Sequence, residues 1–313
     1  MKRRMGSRVL LTIAAITTLV LGGFDAAAVA DSKQSVGNTA RQIAVEKDIV
    51  YGTGGGTELK LNLARPEASN GLLPALVYIH GGGWQFGDRK DDQRGIEDAA
   101  RRGYVAIAIS YRLTEPDAQG KARNPFPAQI QDVKCAVRWL RANAEKYHVD
   151  PNRIGAVGGS AGGHLSLLVG MSDSSPELEG SGGHAGISSK VQAVVNYFGP
   201  TDLVHLYATS KHAAGLEKIC LGGTPETAAE RYRIASPITY VSKDNPPILT
   251  LQGTADEVVP ADQATLLDAA LKKAGASHTL ILLEGQGHGF RGPAAQQARD
   301  AQFKFFDEHL KKG

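Results

Sequence analysis

The chain has two cysteines in 313 residues, Cys135 and Cys220, so it can hold at most one disulfide. Cys135 falls in a predicted helix and Cys220 between distant elements, and nothing in the spacing brings them together. One bridge in an oxidising compartment and two buried free thiols both fit. The histidines and carboxylates lack H-E-x-x-H spacing, and there are no paired cysteines, so no metal or other cofactor is expected. The glycine run Gly52 to Gly56 lacks a following Lys-Ser/Thr and a helix start, which excludes a phosphate loop. No repeat of fixed period and no long low-complexity tract occurs, and no segment has the length of a propeller.

A long spanning run is missing too. The uncharged apolar stretch from Val9 to Leu21 falls short of the ~20 residues a membrane helix needs. It follows Lys2, Arg3, Arg4 and Arg8 and precedes Ala28-Val29-Ala30, the pattern of a cleaved secretory signal over residues 1–30. An uncleaved anchor is the alternative reading. No cysteine near the cleavage site offers a lipid attachment, so no stable membrane anchor is expected. Export to a periplasmic or extracellular site follows. The formal charge of +3 largely belongs to that segment, because its removal leaves 31 basic against 31 acidic residues. A near-neutral mature chain gives no reason to expect a nucleic acid or other polyanion as partner.

What is present is alternation. Residues 31–42 read as a loose polar leader, and 43–313 as one catalytic domain. Ile43 to Val50 and Thr57 to Leu63, joined across glycines, predict an antiparallel hairpin. Apolar, β-branched runs follow at Pro74 to Ile79, Tyr104 to Ser110, Arg153 to Val157, Val191 to Phe198, Pro247 to Leu251 and His278 to Leu283. Near-continuous apolar runs fit parallel strands covered on both faces. Helical periodicity spans Asp91 to Arg102, Gln129 to Tyr147, Ser160 to Met171, Asp262 to Lys273 and Ala294 to Leu310. The expectation is an α/β fold with a mostly parallel eight-stranded sheet flanked by helices. The stretches 172–190 and 202–236 are irregular, and the second lies where a small cap could overhang a site.

Four loops at strand ends carry the chemistry. Gly158-Gly159-Ser160-Ala161-Gly162 fits G-x-S-x-G between a strand and a helix, which lifts a serine hydroxyl out of a sharp turn. Such a short pattern in a glycine-rich chain also fits an ordinary turn with a helix-capping serine; the strand-turn-helix context decides for a nucleophile at Ser160. His80-Gly81-Gly82-Gly83-Trp84 follows another strand. Its backbone N–H groups at Gly82 and Gly83, with that of Ala161, suit the negative oxygen of a tetrahedral intermediate. His80 is expected to fix this loop; Trp84 either lines an acyl pocket or packs. The acid is expected at Asp256, after the strand ending near Leu251. Asp202 is the runner-up, Glu257 a neighbour, and Asp262 is placed to cap the next helix. His288, between Gly287 and Gly289 beyond the last strand, is the base. His278 stands at the wrong end of its strand, His164 is expected to pack or cap, and His184, His205 and His212 fall in irregular stretches. The chain order Ser160, Asp256, His288 is that of an α/β-hydrolase.

These residues resemble the α/β-hydrolase carboxylesterases with an H-G-G-G-W oxyanion loop. The likeness runs from about residue 43 to the C-terminus and takes in Tyr111-Arg112-Leu113 and Phe126-Pro127-Ala128-Gln129. Hormone-sensitive-lipase-like esterases typically carry Asp where Gly159 stands and have a larger N-terminal cap. The bacterial feruloyl and acetylxylan esterase branch is more similar. That resemblance implies acetylated or feruloylated plant polysaccharide as substrate, and because no bulky lid is evident in the sequence, short-chain acyl esters are expected. An arylformamidase-like amide hydrolase keeps the same machinery but suits an exported protein less well. A prolyl-oligopeptidase-type peptidase lacks its propeller here. A non-catalytic module on the same fold would not be expected to carry all three residues.

Overall fold

The computed structural model describes residues 41–116, 122–173 and 175–311. The signal expected over residues 1–30 and nearly all of the leader expected over 31–42 lie outside the described residues. A hairpin opens the fold: β1 (Ile43–Gly54) and β2 (Thr57–Pro66) pair antiparallel. β1 runs further into the glycines than the sequence suggests, so that only Gly55 and Gly56 make the turn, and β2 starts at Thr57 as expected but continues past Leu63 to Pro66. Then come β3 (Leu73–Ile79), α1 (Gln93–Arg101) and β4 (Val105–Ile109). A two-stranded ribbon, β5 (Glu115–Pro116) with β6 (Ala122–Arg123), was not visible as a pattern. The long helix expected to Tyr147 is broken at Asn143 into α2 (Ala128–Ala142) and α3 (Ala144–Tyr147). β7 (Val149–Gly159) leads into α4 (Ala161–Met171), and β8 (Ala193–Tyr197) follows. Three helices, α5 (Leu203–Thr209), α6 (Lys211–Leu221) and α7 (Ala229–Ala235), fill the stretch read as a small cap. β9 (Ile248–Gly253), α8 (Asp262–Ala274), β10 (His278–Leu283) and α9 (Gly292–Phe306) end the series.

The eight-stranded sheet runs β1-β2-β4-β3-β7-β8-β9-β10. Pairing is parallel from β4 to β10, and β2 is antiparallel to both its neighbours. Side chains of a strand alternate between faces, and here both faces are apolar. Ala75, Val77 and Ile79 of β3 join the core under α2, α4 and α8. Leu76 and Tyr78 join the opposite core, which contains Ile96 of α1 and Phe303 and Phe306 of α9. This two-sided burial is why the strands read as continuous apolar runs. It also aligns the C-terminal ends of β3, β7, β8, β9 and β10, and loops beyond such ends are where an open α/β sheet builds its site.

Candidate active site

Ser160 sits between β7 and α4 at φ 56° and ψ −124°. A non-glycine residue there is strained by about 1–3 kcal/mol and persists only if its surroundings hold it. They do: Ser160 N–H donates to Tyr197 O at 2.9 Å, and Ser160 O accepts from His164 N at 3.0 Å. The flanking glycines are required by space. A Cβ on Gly162 would run into the backbone of Ile79 and His80, and one on Gly158 into Ile79 and Gly162. The elbow is thus wedged against the end of β3.

His288 Nε2 lies 2.9 Å from Ser160 Oγ, and His288 Nδ1 lies 2.9 Å from Asp256 Oδ2. A carboxylate accepts, so Nδ1 carries the proton and Nε2 presents its lone pair to the serine hydroxyl. Asp256 is held in turn. Its Oδ1 accepts from the N–H groups of Val258 and Val259, each at 2.9 Å. Gln252 Nε2 stands 3.4 Å from Oδ2. The His288 ring rests on Phe198, centroids 4.8 Å apart, and Phe290 packs edge-on against Phe198 at 5.1 Å. The structure therefore brings Ser160, His288 and Asp256 into one hydrogen-bonded line.

The expected oxyanion loop faces the same point. Gly82 (φ 103°), Gly83 (φ 57°) and Trp84 (φ 61°) are all left-handed, and the turn closes with Gln85 and Phe86 N–H donating to Gly82 O at 3.0 Å. Gly82 and Gly83 line a cavity together with Ser160, and Ala161 opens α4 directly after the serine. Among the described residues, no protein acceptor takes the N–H of Gly82, Gly83 or Ala161. His80 anchors the loop from behind, stacked on Tyr111 at 4.2 Å, while Tyr111 Oη donates to His80 O at 3.0 Å.

One open reading is decided and one expectation is corrected. Of the two roles open to Trp84, lining a pocket or packing, the structure shows packing: it is buried, and its Nε1–H donates to His164 Nδ1 at 3.1 Å. The other nitrogen of His164, Nε2, then carries the proton and donates to Ala235 O at 2.6 Å. Burial outweighs that bond and pushes His164 down to about 4, so the ring stays neutral. The indole thus ties the oxyanion loop through the elbow helix to α7. Asp262 does not cap α8 through its side chain. Ala261 occupies the N-cap, and Asp262, in the first turn, meets His205 Nε2 at 2.8 Å. Asp202, the runner-up acid, caps α5 by accepting from His205 N at 3.0 Å.

The cavity, about 630 Å³, is walled by Ile79, Phe86, Phe198, Leu216 and Val258, with Asp92 and His212 as its polar members besides the serine and His288. None of Phe86, Asp92, Phe198, His212 and Leu216 is marked by a motif in the sequence. His212 and Leu216, four apart, share a face of α6, a signal that could have been read once that segment was known to be helical. Cys135 and Cys220 are both free and buried.

A mostly parallel sheet, an elbow serine after a central strand, and an acid and a base on later strand-end loops together define an α/β-hydrolase. Within that class the chain belongs to the BD-FAE family, whose model matches residues 61–271. It is 33% identical over 221 residues to esterase LipC of Mycobacterium tuberculosis, a match covering 69% of this chain and 53% of LipC. The chain spans about half the length of the curated relatives it matches, LipQ (55%) and LipM (51%) of the same organism included. Among solved structures, a truncated carbohydrate esterase from gut microbiota superposes with a TM-score of 0.74 at 31% identity. That match covers 87% of this chain and 98% of the other. Propionate-bound esterase 2 of Thermogutta terrifontis gives 0.70 at 30% identity, covering 88% and 98%.

Proposed function

We propose that this chain is a serine carboxylesterase that cleaves short-chain carboxylic esters through an acyl-Ser160 intermediate. The observation that carries the reading is the relay from Ser160 Oγ through both nitrogens of His288 to Asp256, each step at 2.9 Å. As Ser160 Oγ attacks the ester carbonyl, its proton passes to His288 Nε2, and Asp256 stabilises the imidazolium. The carbonyl oxygen, now negative, takes hydrogen bonds from Gly82, Gly83 and Ala161 N–H. His288 returns the proton to the leaving alcohol. Water, activated by the same imidazole, then releases the acid and restores the serine.

Likeness to an esterase solved with propionate supports a short acyl group, and likeness to a carbohydrate esterase supports acetylated or feruloylated polysaccharide as one source of the ester. The basic, apolar and small-residue pattern over residues 1–30 supports export to the periplasm or beyond. Among the described residues no helix is long and apolar enough to cross a membrane. The purified chain should release p-nitrophenol from p-nitrophenyl acetate, and Ser160→Ala should lose about 10⁴-fold or more in kcat. Near-parental turnover in that variant would remove Ser160 from the mechanism.

A further inference from the structure

Asp92 precedes α1, where an aspartate ordinarily serves as a helix cap. Here its side chain makes no capping hydrogen bond. Its Oδ2 is covered and has no hydrogen-bond partner among the described residues. The residue nevertheless lines the cavity that holds Ser160 and His288, along a wall shared with Gly82 and Phe86. Covering a carboxyl oxygen without a partner costs about 1–3 kcal/mol, more if it is charged. Among the described residues no protein group bonds the covered oxygen. The residue as a whole is only partly covered and lines the cavity, where a group entering with the substrate can reach the open side of the carboxyl.

We infer that Asp92 is a specificity-determining residue that binds a hydroxyl carried by the ester substrate, so that the cavity favours hydroxy-bearing esters over plain ones. The inference rests on the esterase reading and names the substrate class within it. A hydroxyl suits this position better than an ammonium. Burial, reinforced by neighbouring Asp91, pushes the Asp92 carboxyl up to about 6, so both of its forms occur near neutrality. A hydroxyl can donate to the carboxylate and accept from the acid, whereas an ammonium can serve only the first. The surrounding wall of Ile79, Phe86, Phe198, Leu216 and Val258 sharpens the effect. A plain ester bound there displaces water from the open side of the carboxyl without replacing its hydrogen bond, and sites built to bond a hydroxyl reject analogues that lack it. Phe86, 67% exposed at this wall, gives the carbon skeleton bearing that hydroxyl an apolar surface to lie on.

The test uses the full chain and two pairs of esters: 2-hydroxyethyl acetate against ethyl acetate, and methyl glycolate against methyl acetate. For each pair the ratio of kcat/KM values is compared among the parent, Asp92→Asn and Asp92→Ala, so that intrinsic ester reactivity cancels. The expected result is a ratio at least about tenfold lower in Asp92→Ala for one pair, the size of one charge-assisted hydrogen bond, with a smaller fall in Asp92→Asn. The pair that responds tells whether the hydroxyl sits on the alcohol or the acyl side. If Asp92→Ala loses its melting transition, the asparagine variant decides alone. Ratios within twofold of the parent for both pairs overturn the inference. So does an Asp92-dependent preference for acetylcholine over 2-hydroxyethyl acetate. Failure of the parent to hydrolyse p-nitrophenyl acetate or any of these esters would instead strike the esterase reading itself.

Discussion

The two sides of the cavity are built differently. The floor is made by strand ends and backbone: β3 runs into the left-handed turn at Gly82 to Trp84, β7 into the elbow at Ser160, and glycines let the two touch. The roof is made by side chains of an inserted helix, with His212 and Leu216 of α6 facing the serine. Leu216 packs so closely over Gly83 that a Cβ there would stand 2.7 Å from Leu216 Cδ1. The floor's geometry follows from hard constraints of φ, ψ and atomic radius, which few residues satisfy. The roof's geometry follows from how amphipathic helices pack, which many sequences satisfy. Chemistry therefore sits on the floor, and selectivity on the roof and rim.

The largest test of that division compares two aspartates at neighbouring strand ends. Asp256 holds His288, whereas Asp202 holds only the first turn of α5. Asp256→Asn should cost about 10⁴-fold in kcat, because an amide facing Nδ1 no longer fixes the tautomer with its lone pair toward Ser160. Asp202→Asn keeps a capping side chain and should change kcat by less than about threefold, since asparagine caps as well as aspartate. Steady-state kinetics on p-nitrophenyl acetate separates them, and the reverse ranking would move the acid to Asp202.

The floor was legible in the sequence for the same reason that it is rigid. Only short residues fit beside Ser160, so the turn leaves G-x-S-x-G as a trace, and the oxyanion loop leaves three glycines between His80 and Trp84. Buried parallel strands leave apolar runs, and the three residues follow strand ends in the chain order of an α/β-hydrolase, so the convergence of Ser160, Asp256 and His288 could be anticipated. What stayed hidden depends on partners far along the chain. Trp84 could face the cavity or the core on local grounds, and only the position of His164, 80 residues away, decides. Asp92 is marked by no motif, and only the structure places it in the cavity with a side chain that caps nothing. Asp262 reads as a helix cap, yet the chain bends one residue earlier and leaves its carboxylate to His205. The helices between 203 and 235 lacked clear periodicity because short helices packed among others bury small, scattered patches and no long stripe.

Floor and roof also carry buried titratable groups of opposite sense, which sharpens the comparison through pH. His164, behind the elbow, sits near 4 in the fold against an ordinary 6.5. The unfolded chain takes up that proton first, so His164 lowers stability as pH falls from about 6.5 to about 4. Glu217 of α6 is fully covered, with neither carboxyl oxygen hydrogen-bonded among the described residues. Burial, and more weakly Asp202, push it up to about 9 from an ordinary 4.5. Here the unfolded chain gives up its proton first. Stability is full below about 4.5 and falls as pH rises toward 9. Glu217→Gln removes that charge while keeping the shape, so its melting temperature relative to the parent should climb steadily between pH 5 and pH 9. A difference independent of pH across that range would show that Glu217 reaches water or a counter-charge.

The smallest expected effect belongs to Leu216, and it separates the two walls most directly. The Leu216 side chain contributes no polar group to the relay and meets the oxyanion loop with its methyl groups at Gly83, while the backbone oxygen, which a substitution keeps, accepts from Gln85 Nε2 at 3.4 Å. Leu216→Ala frees roughly three carbons of space above the scissile bond, while the floor keeps its glycine-determined backbone. An extra methylene in an apolar pocket is worth about 1–3 kcal/mol when it fits and is refused when it does not. Partial collapse of the wall takes back some of the gain. The kcat/KM ratio of p-nitrophenyl butyrate to acetate should therefore rise by about threefold to tenfold in the variant. If both esters lose activity by the same factor, Leu216 is holding the left-handed turn in place and not gauging the acyl chain. The roof would then belong to the catalytic machinery it covers.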